Sequence, residues 1–263
     1  MSSIVTDQGV VHYEVAGRGR PVILLHGWIG SWDYWADTMA RLEGSYRGYA
    51  LDFWGFGDSG KARNSFNVAD FVELVDQFMD RLGIDAAPII GHSMGGTVAL
   101  SLALAKPERV KQVAVVGSPI IGTSLSFWLQ LAGNESIAQL LWKFPFALPL
   151  FLKLFSLRAT HKPDIWYKMV MRDVSATTLD SFFSSIRSLY HTDLRENVSK
   201  ISVPIMGIYG KSDIIVNPNQ AGVLKQTAHH SQVELLAGSG HFPMIDEPDL
   251  FNQYLVDFLY NDG

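Results

Sequence analysis

Pro88-Ile89-Ile90-Gly91-His92-Ser93-Met94-Gly95-Gly96 joins a short apolar run to the pattern Gly-x-Ser-x-Gly, and an apolar-periodic stretch, Thr97 to Ala105, follows at once. That order predicts a buried strand, a sharp turn and a helix. A serine in such a turn holds a strained backbone, so its neighbours must be very small. Gly91 and Gly95 meet that need. The Ser93 hydroxyl then projects above the sheet edge, and the Met94 amide points from the helix N-terminus toward the same spot, where the helix dipole favours negative charge. The same pattern also occurs around ordinary loop serines. A functional reading therefore needs a base, an orienting acid and a second oxyanion donor elsewhere in the chain.

On the N-terminal side, Val10 to Val15 alternates apolar and polar positions and reads as an antiparallel strand at the sheet edge, followed by a turn at Gly17-Arg18-Gly19-Arg20-Pro21. Val22 to Leu25 is a central-strand run ending in His26-Gly27-Trp28. Ser31 is expected to cap a helix whose apolar face includes Trp35, Met39 and Leu42. Tyr46 to Phe53 reads as a strand closing in the glycine-rich loop Asp52 to Gly60, and Phe71, Leu74, Val75, Phe78 and Leu82 mark an amphipathic helix. Beyond the serine turn, Val113 to Val116 makes one more strand, stopped by Gly117-Ser118-Pro119. Strand–helix alternation lapses between about Ile120 and Ser199 and resumes at Pro204 to Tyr209, a strand ending in Gly210-Lys211-Ser212-Asp213. A helix over Gln220 to Ala228, a strand over Val233 to Leu236 ending in Gly238-Ser239-Gly240-His241, and a helix over Glu247 to Tyr260 close the chain. The expected fold is α/β: a mostly parallel central sheet with helices on both faces. Residues 1–119 and 200–263 would form the core, and residues 120–199 a helical insertion above the carboxyl edge, where such sheets bind ligands.

Composition narrows the function. The 263 residues are 48% hydrophobic and 18% charged, as in a globular chain long enough to bury a large core. A net charge of −5 gives no electrostatic ground for nucleic acid or an anionic membrane as partner. The absence of cysteine excludes disulfides and thiolate metal sites, and neither metal nor cofactor is expected. Met1 to Gly9 is polar without a signal pattern, so a cytoplasmic location is expected.

A neutral serine hydroxyl needs a base to take its proton, and imidazole, with an ordinary pKa near 6.5, serves as base and then acid. Of eight histidines, His241 follows a strand in a glycine-flanked loop, and it is the candidate base. Asp213, at the end of the preceding strand, is the candidate acid that orients it, although an aspartate there also suits a turn or cap. Two preorganised donors are needed for a tetrahedral oxyanion. The backbone amides of Met94 and Trp28 are the candidates. His26, His92 and Asp52 read as structural.

The His-Gly turn at 26–27, Gly57-Asp58-Ser59, Gly91-His92-Ser93-Met94-Gly95-Gly96, Val203-Pro204 leading to Gly210-x-x-Asp213, and Gly240-His241 resemble the α/β-hydrolase fold superfamily over nearly the whole chain outside the insertion. The order serine, acid, histidine is that superfamily's order. The resemblance implies a catalytic triad and a helical cap, formed here by residues 120–199, lying over the site. It says little about substrate. Epoxide hydrolases and haloalkane dehalogenases of this superfamily use an aspartate nucleophile, which Ser93 argues against. Hydrolases of ring-cleavage diketones commonly have Asn in the place of His92 and a further Gly-Pro-Gly after the His-Gly turn, where this chain has Trp28-Ile29-Gly30-Ser31.

The insertion is rich in large apolar residues: Phe127, Trp128, Leu131, Leu140, Trp142, Phe144, Phe146, Phe151, Leu152, Phe155 and Trp166. They suit an apolar acyl or aryl pocket or the insertion's own core. The run Phe144 to Phe155 is too short to span a bilayer and is broken by Pro145, Pro149 and Lys153, so a lid that touches lipid is the lesser reading. The expected activity is a serine carboxylesterase for small to medium hydrophobic esters, acting through an acyl-enzyme. The alternatives are a carbon–carbon bond hydrolase of ring-cleavage diketones or a cofactor-free perhydrolase on the same triad, or a ligand receptor on this fold.

Overall fold

The computed structural model describes residues 2–7, 9–62, 65–126, 129, 147–228 and 230–260. Its centre is built from runs that are apolar on both faces, as a sheet covered by helices on both sides requires. All six residues of β5 (Ala87–His92) and of β7 (Ile205–Gly210) are buried. With β1 (Ser2–Thr6), β2 (Gly9–Gly17), β3 (Arg20–Leu25), β4 (Tyr46–Leu51), β6 (Val110–Val116) and β8 (Ser231–Leu236) they form one sheet in the order β1-β2-β4-β3-β5-β6-β7-β8. The pairings β1–β2 and β2–β4 are antiparallel and the others parallel.

Register aligns the strand ends. Leu25 pairs with Leu51 on one side and Gly91 on the other, His92 with Val116, and Gly210 with Leu236. The loops after β3, β5, β7 and β8 therefore leave the sheet along a single rim. Two of the helices on its faces are α1 (Ala36–Leu42) and α2 (Val68–Arg81). The latter starts at a capping box, in which the Asn67 N–H donates to Asp70 Oδ2 at 2.8 Å, and buries Phe71, Leu74, Val75 and Phe78. Helix α3 (Met94–Ala105) is buried almost all round, so small residues are needed where it meets the strands.

Two sequence expectations are corrected. Val10 to Val15 lies in an antiparallel strand, but β1 covers it, pairing from Ser2 opposite Tyr13 to Thr6 opposite Gly9. The segment Ser-Ser-Ile-Val-Thr is short and has no apolar–polar alternation, so it does not stand out in the sequence. Ser31 does not cap a helix with its side chain. A 3-10 turn over Trp32–Trp35 precedes α1, and the Ser31 hydroxyl donates to Asp173 Oδ1 at 3.0 Å instead. A cap would use the hydroxyl oxygen as an acceptor, and that oxygen instead accepts from Arg172 Nη2 at 2.9 Å.

Between β6 and β7 lie α4 (Ala147–Ala159), α5 (Pro163–Ser175), α6 (Leu179–His191) and α7 (Arg195–Val198). The two ends of this insertion meet. Ile121 pairs antiparallel with Asp193, the Leu194 N–H donates to Ile120 O at 2.9 Å, and Gln220 Oε1 accepts the N–H groups of Ile120 (3.0 Å) and Ile121 (2.9 Å). Gln220 opens α8 (Gln220–Thr227) in the core. Of the large apolar residues expected here, Leu152 and Trp166 are buried and Phe151 is exposed, while residues 127, 128, 131, 140, 142, 144 and 146 lie outside the described residues. A short helix, α9 (Pro243–Asp246), precedes α10 (Pro248–Tyr260). No helix among the described residues is long and apolar enough to cross a membrane.

Candidate active site

Ser93 stands between β5 and α3 with φ +52° and ψ −117°, a conformation belonging to neither element. Its backbone serves both: the N–H donates to Val116 O at 2.8 Å, and the carbonyl accepts from Gly96 (3.0 Å) and Thr97 (3.3 Å). The flanking glycines are sterically required. A Cβ on Gly91 would lie 2.2 Å from the Gly95 carbonyl, and one on Gly95 would lie 2.4 Å from Leu25 O. This crossing of helix and strand is what turns Ser93 onto the rim.

Asp213 lies in the turn after β7 and is buried. Its Oδ1 accepts the N–H groups of Ile215 (2.8 Å) and Val216 (2.9 Å), which leaves Oδ2 to take the Nδ1–H of His241 at 2.7 Å. With the proton on Nδ1, Nε2 presents a lone pair. The His241 N–H donates to Ala159 O at 3.1 Å, where α4 ends, and the loop is further held by Gly240 N–H donating to Asp246 Oδ2 at 2.8 Å. His92, next to Ser93, reaches across: its Nε2–H donates to His241 O at 2.9 Å, and the two imidazole rings are 4.7 Å apart. Burial and the neighbouring His241 push the His92 pKa well below its ordinary value, so it stays a neutral donor. Asp213 and His241 are thus hydrogen-bonded, and His92 ties the strand end carrying Ser93 to them. The Ser93 hydroxyl itself has no hydrogen-bond partner among the described residues.

The loop after β3 runs against this turn. A Cβ on Gly27 would lie 3.0 Å from Ser93 Cβ and 2.8 Å from His92 Nδ1. The next amide, on Trp28, and the Met94 amide donate to no protein acceptor among the described residues. Ile29 follows with φ +50°. His26 braces the loop, donating from Nδ1 to Gly27 O at 2.7 Å and accepting the Phe53 N–H on Nε2 at 2.9 Å, and burial lowers its pKa. Asp52 braces it from below: Oδ1 accepts the Trp32 N–H at 2.7 Å, and Oδ2 accepts His12 Nδ1–H at 2.8 Å and Asp58 N–H at 3.0 Å. Burial alone would raise its pKa, but the His12 bond, the nearby His26 imidazole and the two amides bring it below the ordinary value. His12, Asp52 and Asp58 lie close enough to share an ion, yet both Asp52 oxygens are already committed to these bonds.

Several residues around the rim carry no clear sequence signal. Tyr34 stacks on His92 at 6.2 Å and on Phe242 at 5.8 Å, and Trp166 packs on Phe242 at 5.5 Å. Arg172 and Asp173, adjacent on α5, bind Ser31 and Asp33 of the loop after β3. Phe182 O on α6 accepts the Trp28 Nε1–H at 3.1 Å. Only the pairing of a charged dipeptide with a helix face that also buries Trp166 and Val170 hints at such a contact. A concave surface lined by Val15, Arg18 and Arg47 lies at the amino ends of β3 and β4, at the far end of the sheet from Ser93.

A model of the alpha/beta hydrolase fold matches residues 20–248. The chain is similar to a pimeloyl-[acyl-carrier protein] methyl ester esterase of Aliivibrio fischeri (strain MJ11), with 28% identity over 256 residues, covering 95% of this chain and 97% of the relative. The corresponding protein of Yersinia enterocolitica is 29% identical over 256 residues, covering 94% of this chain and 96% of its own. Among solved structures, the enol-lactonase from Burkholderia xenovorans LB400 superposes with a TM-score of 0.86 at 21% identity, covering 99% of this chain and 100% of that one.

Proposed function

The chain belongs to the alpha/beta hydrolase fold family, and from that membership we propose that it is a serine hydrolase that cleaves carboxylic esters of small to medium hydrophobic substrates. The observation that carries the reading is the Asp213–His241 hydrogen bond at 2.7 Å on the rim where Ser93 holds its strained turn. Similarity to proteins named as methyl ester esterases over nearly their whole length supports the ester as the bond attacked.

Ser93 Oγ adds to the ester carbonyl while its proton passes to His241 Nε2. Asp213 Oδ2 holds the resulting imidazolium through Nδ1–H. The carbonyl oxygen, now an anion, takes the N–H groups of Trp28 and Met94, which have no protein acceptor to give up among the described residues. Collapse breaks the C–O bond, and the alcohol leaves with the proton from Nε2. Water then attacks the acyl-enzyme, giving its proton to Nε2, and as the second tetrahedral intermediate breaks its bond to Ser93 Oγ that proton passes from Nε2 to Oγ and the acid is released.

Hydrolysis of p-nitrophenyl esters from acetyl to octanoyl, compared between the wild type and Ser93→Ala, tests this. The variant should lose at least about a thousandfold in kcat/KM. Equal rates would end the proposal. A panel that adds a methyl ester, a lactone and a vinylogous diketone separates ester from carbon–carbon bond cleavage.

A further inference from the structure

The loop that carries Trp28 is held in an unfavourable shape from outside the sheet domain. Ile29 is β-branched and has φ +50°, a conformation that costs such a residue about 1–3 kcal/mol and persists only where its surroundings enforce it. Besides the bracing from His26 and Asp52, contacts from the insertion flank it. Trp28 Nε1–H donates to Phe182 O at 3.1 Å, with the two rings 4.4 Å apart. Two residues beyond Ile29, the Ser31 hydroxyl donates to Asp173 Oδ1 at 3.0 Å and accepts from Arg172 Nη2 at 2.9 Å. Arg172 also holds Asp33 Oδ2 at 2.9 Å and donates to Asp173 Oδ1 from Nε (3.1 Å) and Nη2 (3.0 Å). The strained residue is therefore fixed on both sides.

Asp173 is a poor choice for stability alone. Its side chain is 1% exposed, and Oδ2 has no hydrogen-bond partner among the described residues. A neutral acceptor would hold Ser31 without burying a charge. What this side chain supplies is an acceptor for Ser31, two residues from the strained Ile29.

We propose that Asp173 is a positioning residue for ester hydrolysis: by holding Ser31 it fixes the strained turn at Ile29 and so aims the Trp28 N–H at the developing oxyanion. The inference rests on the serine-hydrolase reading, in which Trp28 and Met94 are the oxyanion donors. Asp173 touches no reacting atom. It acts through Ser31, and it makes the insertion part of the catalytic framework as well as a roof over it.

The test is steady-state kinetics on p-nitrophenyl butyrate, together with the inhibition constant of a trifluoromethyl ketone, whose adduct with a serine carries an oxyanion. Ser31→Ala removes one oxygen and is the milder variant should Asp173→Ala fail to fold. Both should lower kcat about tenfold to a hundredfold with KM within about threefold, since displacing a preorganised group by about 1 Å can cost a hundredfold. The ketone should weaken by the same factor as kcat/KM. Asp173→Asn keeps an acceptor for Ser31 and should retain kcat within about threefold. Unchanged kcat in folded Ser31→Ala and Asp173→Ala, a loss confined to KM, or ketone affinity untouched while kcat falls would each overturn the positioning role. Ser93→Ala is assayed in parallel. Undiminished turnover there would overturn the serine reading itself, whereas its loss alongside a fully active Ser31→Ala would overturn positioning alone.

Discussion

Ile29 and Ser93 are the two non-glycine positions with positive φ among the described residues, at +50° and +52°, and they follow the paired neighbouring strands β3 and β5. Each costs the fold about 1–3 kcal/mol. Strain concentrated at two adjoining strand ends belongs to the site and not to the sheet.

Relieving it at Ser93 should stabilise the protein and end its activity. Glycine adopts φ +52° freely, and the Ser93 hydroxyl has no partner to lose among the described residues. Ser93→Gly is expected to melt about 2–4 °C above Ser93→Ala, a net gain of roughly 1 kcal/mol once about 2 kcal/mol of released strain is set against the extra freedom of an unfolded glycine. Thermal unfolding of the two variants side by side is the measurement. A glycine variant that melts no higher would show the turn to be unstrained.

The glycines around Ser93 should behave oppositely to one far from it. Gly95→Ala would drive a Cβ to 2.4 Å from Leu25 O, backbone that cannot move aside, and should cost more than about 3 kcal/mol or prevent folding. A Cβ added to Gly222 on α8 would meet nothing within 4 Å, so Gly222→Ala should add about 0.5–1 kcal/mol through helix propensity. Urea unfolding of both variants checks the contrast.

Asp213→Asn should keep the geometry and lose the chemistry. The two amides of Ile215 and Val216 demand an acceptor, so the new amide would direct its oxygen to them and its NH2 to His241 Nδ1. The imidazole then carries its proton on Nε2 and cannot take one from Ser93. A fall in kcat of about a thousandfold to ten-thousandfold with little change in KM is expected from steady-state kinetics.

Asp173 gives a pH signature in stability. Burial raises its pKa to about 6, against which the Arg172 charge and the bonds from Arg172 and Ser31 work only partly. An unfolded aspartate titrates near 3.9. Between those values the folded protein holds the proton that the unfolded chain has released, so this group's contribution to stability falls as pH rises from about 4 to 6 and stays low above. Asp173→Asn removes the penalty. It should melt above wild type at pH 8 and close to it at pH 4, by differential scanning calorimetry; the same offset at both pH values would count against a buried, titrating carboxyl.

The fold is legible in the sequence because its signals are local. Apolar runs mark β3, β5 and β7, glycines bracket Ser93, and Asp213 and His241 each follow a strand by a few residues, so the parallel register alone lays their loops on one rim. What the sequence hides depends on partners far along the chain. Ser31 looks like a helix cap until α5, 142 residues on, offers it a carboxylate. The Tyr34 ring is one more apolar residue until it is found between His92 and Phe242. Strand β1 escapes notice because its five residues do not alternate and only Ile4 and Val5 are apolar, too little to signal a sheet edge.

Gln220 closes the neck of the insertion, one side-chain oxygen gathering two successive peptide N–H groups where the chain departs from β6, while Asp193 and Leu194 return alongside. Departure and return thus share a doorway about one strand-pair wide. Excising the intervening helices and splicing in a short linker should therefore leave the eight strands assembled while stripping Trp28, Ser31 and His241 of the partners that the insertion gives them.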